Sequence, residues 1–219
     1  MRSGEFRARL ASVAAGADLA LAGSGVDQLE VYYRLLRHWN RRINLTALPL
    51  EPLSDATIAR LFVEPLAAAR YVPESPLGWI DVGSGGGSPA IPLKIVRPLA
   101  RLTLIEARTR KAAFLREMVR GLGLIEVSVV NARFEDVAAK SDSSGVAALV
   151  TVRAVKADKA LFFAAEAVLQ SDGQLFLFGA QKHAPEIISS FGEVRRLQLL
   201  PANSSTLFIY QRSTWNVDR

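Results

Sequence analysis

The chain has 219 residues, of which 50% are apolar, and its formal net charge at pH 7 is +6. This length and apolar fraction suit one compact domain with a small extension, large enough to fold without cross-links. The absence of cysteine excludes disulfides and thiolate metal sites, and two histidines are too few for an ordinary zinc site, so no metal is expected. The positive charge favours a polyanionic partner such as nucleic acid, although an ordinary basic protein can carry the same charge.

The chain contains no apolar run of about 18 residues, so no membrane span and no membrane partner are predicted. An alanine-rich stretch over residues 10–22, preceded by three arginines, loosely resembles a signal peptide. Gly16 and Asp18 interrupt this stretch. A short amphipathic helix and a cytoplasmic location are therefore predicted.

Two parts of the chain differ in pattern. Residues 1–72 are predicted to form an N-terminal helical extension, whereas residues 73–219 alternate short apolar runs with helical segments. Such alternation predicts a parallel sheet with helices on both faces. The predicted strands are 78–82, 101–106, 125–130, 147–152 and 174–178, with helices near 91–96, 109–122 and 156–169. The serine-rich residues 140–145 are predicted to be a surface loop.

The end of the chain predicts an antiparallel hairpin. Its strands are residues 193–200 and 206–211, joined through Pro201 and the three residues that follow it. A Rossmann-like, mostly parallel sheet of seven strands that ends in such a hairpin is typical of class I S-adenosylmethionine-dependent methyltransferases. The predicted fold is therefore α/β, of this class, with additional N-terminal helices.

A glycine-rich turn with Gly83, Gly85 and Gly87 follows the first predicted strand. Glycines let the backbone turn sharply and let a ligand approach the main chain. Asp81, at the end of the strand, suits the ammonium group of a methionine moiety and would repel a dinucleotide pyrophosphate. The dinucleotide spacing requires a further glycine at the position of Ser88. Both features favour S-adenosyl-L-methionine over NAD as the cofactor.

An acidic residue, Glu106, ends the second predicted strand, 23 residues after Gly83. This is close to the spacing of about 20 residues at which a carboxylate accepts hydrogen bonds from ribose hydroxyls. A solvated acid at a strand end is the alternative interpretation.

Several stretches, taken together in their order and spacing, resemble the RsmG (GidB) family, whose members methylate N7 of a guanine in 16S ribosomal RNA. The resemblance covers roughly residues 29–181. The stretches are Trp39-Asn40, Ile43-Asn44-Leu45-Thr46, residues 81–89, Ile91-Pro92-Leu93, Arg97-Pro98, Leu104-Ile105-Glu106, Arg110-Lys111, Phe114-Leu115, Ala132-Arg133-Phe134-Glu135 and Arg153-Ala154.

The resemblance implies that 73–219 is a methyltransferase domain, and it implies roles for individual residues. Gly83 and Ser88 in the turn, Glu106 at the ribose, Phe134 and Glu135 near the adenine, and Arg153 after the fourth strand would contact the cofactor. The chain departs from the family's usual residues at Ser88, at Leu61, at Glu64 and Pro65, and at Gly179, with Lys182 nearby.

Two clusters of cations are candidates for binding RNA phosphates. On a helical wheel of residues 31–43, the cations lie opposite an apolar stripe formed by Leu35, Leu36, Trp39 and Ile43. A solvated charged face is the alternative interpretation. The candidate RNA-binding residues are Arg34, Arg37 and Arg41 in the first cluster and Arg108, Arg110 and Lys111 in the second, beside the predicted cofactor site.

The predicted reaction needs no general base, because guanine N7 attacks with a lone pair that is free at neutral pH. No catalytic side chain is therefore assigned. The expected partner is 16S ribosomal RNA or a precursor of the small ribosomal subunit, and the protein is expected to be a monomer. The alternatives are a methyltransferase acting on another RNA, a small molecule or a protein, and an RNA-binding module without activity.

Overall fold

A computed structural model describes residues 3–21, 23–179, 190–201 and 206–213. The α-helices are α1 (Ser3–Ala15), α2 (Gly23–Asn40), α3 (Asp55–Ile58), α4 (Glu64–Ala68), α5 (Ala90–Val96), α6 (Thr109–Gly121), α7 (Phe134–Ala138) and α8 (Lys159–Val168). A π-helical turn, Ala59–Val63, joins α3 to α4, and 3₁₀ turns lie at Ala69–Tyr71 and Ser141–Ser143. The strands are β1 (Gly78–Val82), β2 (Arg101–Ile105), β3 (Val127–Val130), β4 (Ala147–Arg153), β5 (Leu169–Gly179), β6 (Phe191–Gln198) and β7 (Thr206–Arg212).

The strands form one sheet of seven in the order β3-β2-β1-β4-β5-β7-β6. The first five are parallel, and β7 runs antiparallel between β5 and β6. The predicted class I methyltransferase fold and its terminal hairpin are thus confirmed. The chain order reverses between β1 and β4, and open α/β sheets bind ligands at the carboxyl ends of the strands at such a reversal.

Strand β4 shows why the centre of the sheet is so apolar. Six of its seven residues are buried, as expected for a parallel strand covered by helices on both faces. Two residues of β4 are polar or charged and yet buried: Thr151, which is fully buried, and Arg153, which is 9% exposed. A buried hydroxyl and a buried guanidinium require partners, and both find them at the site described below.

The N-terminal helices pack on the same hydrophobic core as the sheet. The ring of Phe6 in α1 stacks on Tyr33 of α2 at 4.9 Å between centroids. The cluster of buried residues that begins with Phe6 continues to Leu102 and Leu104 of β2. Tyr33 and its neighbour Tyr32 are therefore core residues. The division of the chain at residue 72 stays a prediction.

Several boundaries differ from the predicted ones, and the start of one helix has a local reason. Helix α8 begins at Lys159, after Asp158, whose carboxylate accepts a hydrogen bond from the N–H of Leu161 as an N-cap. Strand β5 begins at Leu169, five residues before its predicted start. Helix α7 is absent from the predicted elements. The connection at 202–205 and Lys182 lie outside the described residues. Within the described ranges, no helix is long and apolar enough to cross a membrane.

Candidate functional site

The glycine turn lies at the carboxyl end of β1, where the sheet order reverses. Gly83 has a φ of +66° and Gly87 a φ of +92°, which is left-handed backbone that favours glycine. A Cβ at Gly83 would lie 2.6 Å from Cγ2 of Val155, and one at Gly87 would lie 2.8 Å from Cγ1 of Ile91. Left-handed backbone and the close approach of these two side chains therefore restrict both positions to glycine.

The carboxylate of Glu106 connects this turn to the start of α6 through two hydrogen bonds. Its Oε2 accepts a hydrogen bond from the N–H of Gly85 at 2.9 Å, and its Oε1 accepts one from the N–H of Arg108 at 2.8 Å. Glu106 comes directly after β2 and is 7% exposed. Each carboxylate oxygen can accept more than one hydrogen bond. The side chain is thus an ordered acceptor beside the turn, and the alternative of a freely solvated acid does not apply.

Asp81 is buried, with 1% of its surface exposed. Its Oδ1 accepts a hydrogen bond from the hydroxyl of Thr151 at 2.5 Å. Its Oδ2 has no hydrogen-bond partner among the described residues. Burial raises the pKa of Asp81 to about 7, although the hydrogen bond from Thr151 opposes this shift. A buried carboxylate oxygen without a partner is costly, and a cationic ligand group would relieve that cost.

Arg153 ends β4 and is held by four groups. Its Nη2 lies 3.0 Å from Oε2 of Glu64, and its Nη1 donates to the hydroxyl of Ser88 at 3.0 Å and to the carbonyl of Arg60. Its guanidinium lies over the ring of Phe178. Burial lowers the pKa of Arg153 to about 10, so this cation is still charged at neutral pH. Arg153 is therefore a buried cation of the site and not a solvated surface arginine.

A cavity of about 310 Å³ opens beside the turn. One side is formed by the turn and the end of β4, and the other by α2 and the loop that follows it. Asn40 holds this loop, since its side-chain oxygen accepts hydrogen bonds from the N–H groups of Leu45 and Thr46. The hydroxyl of Tyr32 donates to the carbonyl of Gly86. The lining residues are Tyr32, Leu36, Leu45, Thr46, Ala47, Leu48, Arg60, Leu61, Gly83, Ser84, Gly86, Ser88, Arg153 and Ala154.

The two residues predicted near an adenine lie at the start of α7, after β3. Phe134 is buried and packs in a cluster with Ile80 and Ile105, whereas Glu135 is exposed. They are at the same carboxyl edge of the sheet as Glu106. Within the described ranges, no three histidine, aspartate or glutamate side chains are grouped as metal ligands would be.

The first basic cluster differs from its prediction. Helix α2 ends at Asn40, so Arg41 and Ile43 lie beyond it, and the helical wheel does not apply to them. Arg34 forms an ion pair with Glu30 at 2.5 Å. Arg37 and Arg41 both pair with Glu51, at 3.1 and 2.5 Å.

The cations of the second basic cluster have no carboxylate partner within the described ranges. Arg108 and Arg110 are exposed and Lys111 is half-buried around the start of α6. None of the three forms an ion pair within the part of the chain that the structure describes. The two clusters are therefore electrostatically unlike, because the cations of the first are compensated by carboxylates.

Sequence reasoning missed three residues of this site. The sequence marks Glu64 only as a departure from the family's residues, yet it is fully buried and binds Arg153. Its position within the apolar run 61–69 is the signal that could have indicated a buried ion pair. Thr151 lies in a similar apolar run in β4. For Tyr32 the sequence favours packing against the main domain over stacking on an RNA base, and it does not indicate a place at this site.

Comparison with known proteins gives a family match over most of the chain. Residues 26–205 match the family model described as GidB, rRNA small subunit methyltransferase G. A relative named ribosomal RNA small subunit methyltransferase G, from Roseiflexus sp. (strain RS-1), is 42% identical over 130 residues, which are 59% of this chain and 54% of the relative. Another of that name, from Streptococcus equi subsp. zooepidemicus (strain H70), is 34% identical over 78% of this chain and 72% of the relative.

The fold is also similar to solved structures. A putative methyltransferase from Escherichia coli superimposes with a TM-score of 0.56 at 16% identity, over 69% of this chain and 86% of the other. At that identity the likeness concerns the fold alone.

Proposed function

Since the chain belongs to the rRNA small subunit methyltransferase G (GidB) family, we propose that it binds S-adenosyl-L-methionine at the glycine turn and methylates N7 of a guanine in 16S ribosomal RNA. The substrate would be this RNA or a precursor of the small ribosomal subunit, in the cytoplasm. The observation that carries the cofactor part of the proposal is the buried Oδ2 of Asp81, which has no hydrogen-bond partner among the described residues and lies at the start of the left-handed glycine turn.

The residues around the turn fit the parts of S-adenosyl-L-methionine. Asp81 would hold the ammonium group of its methionine moiety, and Glu106 would accept hydrogen bonds from its ribose hydroxyls. Phe134 and Glu135 would contact the adenine. The backbone at Gly83, Gly85 and Gly87, together with Ser88 and Arg153, would hold the methionine end.

The protein's contribution to the reaction is mainly positional. S-adenosyl-L-methionine, when bound, supplies an electrophilic methyl group on a sulfonium. The acceptor nitrogen is a neutral lone-pair nucleophile, so no side chain has to remove a proton first. The cavity beside the turn has room for a base that has left its stack, and its apolar lining at Leu36 and Leu45 suits a flat ring.

The unneutralised cations at the start of α6 would bind RNA phosphates. Arg108, Arg110 and Lys111 carry no compensating carboxylate among the described residues, so their attraction for phosphate is undiminished. Arg34, Arg37 and Arg41 would have to exchange a carboxylate for a phosphate, and their contribution would be smaller. Arg108 directly follows Ala107 and Glu106, so the RNA-binding surface would border the cofactor.

Two measurements with purified protein test the proposal. Calorimetry should show binding of S-adenosyl-L-methionine and of its demethylated product, and no binding of NAD. Labelled methyl groups should then be transferred to 16S ribosomal RNA or to small-subunit particles, with a steep dependence on salt. Binding of NAD without S-adenosyl-L-methionine would overturn the cofactor assignment, and salt-independent transfer to a small acceptor would overturn the RNA assignment.

A further inference from the structure

Three buried side chains form a chain of hydrogen bonds across β1 and β4. Trp79 and Asp81 lie two positions apart in β1 and therefore on the same face of the sheet. Thr151 is the neighbour of Asp81 in the register of β4. None of the three is more than 1% exposed. Neither Trp79 nor Thr151 belongs to the residues that the family resemblance assigns to the cofactor.

The direction of each hydrogen bond is determined by chemistry. The indole N–H of Trp79 lies 2.9 Å from the hydroxyl oxygen of Thr151 and can only donate. The hydroxyl proton of Thr151 is therefore free to point elsewhere, and it points to Oδ1 of Asp81 at 2.5 Å. A hydrogen bond to a carboxylate is short and stronger than one between neutral groups.

This chain of hydrogen bonds leaves one oxygen of Asp81 available. Oδ1 is engaged by Thr151, while Oδ2 has no partner among the described residues. The hydroxyl of Ser84 is also close to this carboxyl and lowers its pKa, but the hydroxyl donates to the backbone carbonyls of Asp81 at 3.1 Å and Ile105 at 3.4 Å. The orientation of the carboxylate is thus determined by Thr151, and the orientation of Thr151 by Trp79.

We infer that Thr151, oriented by Trp79, is a positioning residue that stabilises the ionised form of Asp81 and leaves Oδ2 available for the ammonium group of the bound cofactor. The inference rests on the proposed function for the identity of the ligand. Thr151 does not touch the cofactor in this arrangement. It acts through Asp81 alone.

The charged and titratable groups that act on Asp81 come from three elements. Arg153 of β4 lowers the pKa of Asp81, and Glu106 after β2 raises it. The phenol of Tyr32, in α2, is buried and its own pKa is raised by that burial, so it is neutral at ordinary pH. Burial remains the largest influence and raises the pKa of Asp81 to about 7. Removing the hydrogen bond from Thr151 would raise this pKa further.

This role of Thr151 predicts a particular dependence of cofactor affinity on pH. An ammonium group binds the carboxylate and not the carboxylic acid. Below the pKa of Asp81 in the free protein, affinity should fall about tenfold for each pH unit, because binding then releases a proton. In Thr151→Val this fall should begin at a higher pH, since the hydroxyl no longer stabilises the carboxylate.

The test is calorimetric titration of the full chain between pH 6 and 9 with S-adenosylhomocysteine, which carries the same ammonium and carboxylate groups as S-adenosyl-L-methionine. Thr151→Val should weaken binding about tenfold at pH 6.5 and much less at pH 9. Thr151→Ser keeps the hydroxyl and should restore the wild-type pH profile. Trp79→Phe keeps an aromatic ring but loses the N–H, and should shift the profile in the direction of Thr151→Val by a smaller amount.

The outcomes separate this inference from the proposed function. If the wild-type protein does not bind S-adenosylhomocysteine at all, the proposed cofactor is wrong. If it binds, but Thr151→Val or Trp79→Phe lowers the affinity equally at all pH values, the hydroxyl is only structural and the inference is overturned. The inference is supported if affinity begins to fall at a higher pH in Thr151→Val and at the wild-type pH in Thr151→Ser. A packing defect would lower the affinity without changing this pH.

Discussion

Nη2 of Arg153 lies 3.0 Å from Oε2 of Glu64, and both side chains are buried. Arg153 lines the cavity beside the glycine turn, whereas Glu64 does not. Glu64 therefore neutralises and orients Arg153 without itself lining the cavity. Glu64 also pairs with Arg60 at 3.1 Å. This arrangement makes the site's geometry depend on a residue of the N-terminal helices.

Glu64→Gln should destabilise the protein by about 3 kcal/mol, because it leaves Arg153 as a buried cation without a countercharge. Denaturant unfolding monitored by circular dichroism measures this change. Arg9→Gln is the control, since Arg9 pairs with exposed Asp55 and such pairs contribute less than about 1 kcal/mol. Equal effects of the two substitutions would show that the pair at Glu64 has no special role.

Asp81→Asn should abolish cofactor binding without destabilising the ligand-free protein. Burial raises the pKa of Asp81 from its ordinary value of 3.8 to about 7, so the folded state binds a proton more tightly than the unfolded state does. This group's contribution to the free energy of unfolding is therefore largest below about pH 4 and falls as the pH rises to about 7.

Asparagine carries no charge, so the variant has no buried carboxylate whose ionisation at high pH destabilises the folded state. At pH 8 the ligand-free Asp81→Asn variant should be as stable as the wild type or more stable, by about 1 kcal/mol or more. Thermal unfolding at pH 5 and pH 8 measures the difference, which should shrink at pH 5. A variant that is less stable at pH 8 would mean that Asp81 stabilises the fold and is not strained for a ligand.

Glu106→Gln should weaken cofactor binding by about 1–3 kcal/mol. The N–H groups of Gly85 and Arg108 face different oxygens of Glu106. Glutamine replaces one of these oxygens with an NH₂ group, which is a donor, so one of the two N–H groups loses its acceptor. Calorimetry with S-adenosyl-L-methionine measures the loss. Glu117→Gln on α6 is the matched control and should leave the dissociation constant unchanged. The role of Glu106 is refuted by a folded variant with wild-type affinity.

Reversing Arg110 and Lys111 to Glu should weaken RNA binding more than reversing Arg37 and Arg41, although both double variants change the net charge equally. Arg37 and Arg41 already pair with Glu51, and the hydrogen bond from Arg41 lowers the pKa of that carboxyl. For each phosphate that the protein no longer neutralises, the log–log salt slope should decrease by about 0.7 for single-stranded RNA.

The measurement for this comparison is RNA titration at several salt concentrations. Cofactor affinity serves as the internal control in both double variants and should stay within a factor of about two of the wild type, a change of less than about 0.5 kcal/mol. Equal decreases in RNA affinity would mean that Glu51 does not compensate its two arginines, and a larger decrease for Arg37 and Arg41 would reverse the assignment of the surface.

Local patterns predicted the sheet well and the side-chain partners poorly. Strand β1 has the predicted bounds because its apolar run is short and ends directly before the glycine turn that begins at Gly83. Asp81 and Glu106 were identifiable because glycine spacing and strand ends constrain their positions. The pairing of Asp81 with Thr151 depends on the register of two strands separated by 70 residues in the chain, which no local pattern contains.

The same limit explains the basic surface. A helical wheel orders side chains around one helix, but it contains no information on carboxylates that approach from elsewhere. Glu51 comes from the loop after α2 and neutralises two of the three cations assigned to that cluster. The end of α2 at Asn40 has a more local cause, because the side chain of Asn40 accepts hydrogen bonds from the N–H groups of Leu45 and Thr46, five and six residues further along the chain.

The proposed methylation of 16S ribosomal RNA is tested most directly by mass mapping of methylated nucleotides in this RNA from cells with and without the protein. We predict that one 7-methylguanosine disappears from 16S ribosomal RNA when the protein is absent. It should return with the wild-type chain and not with the Asp81→Asn variant, which we expect to retain the fold. An unchanged pattern of 16S methylation in cells that lack the protein, or full restoration by Asp81→Asn, would contradict the proposed function.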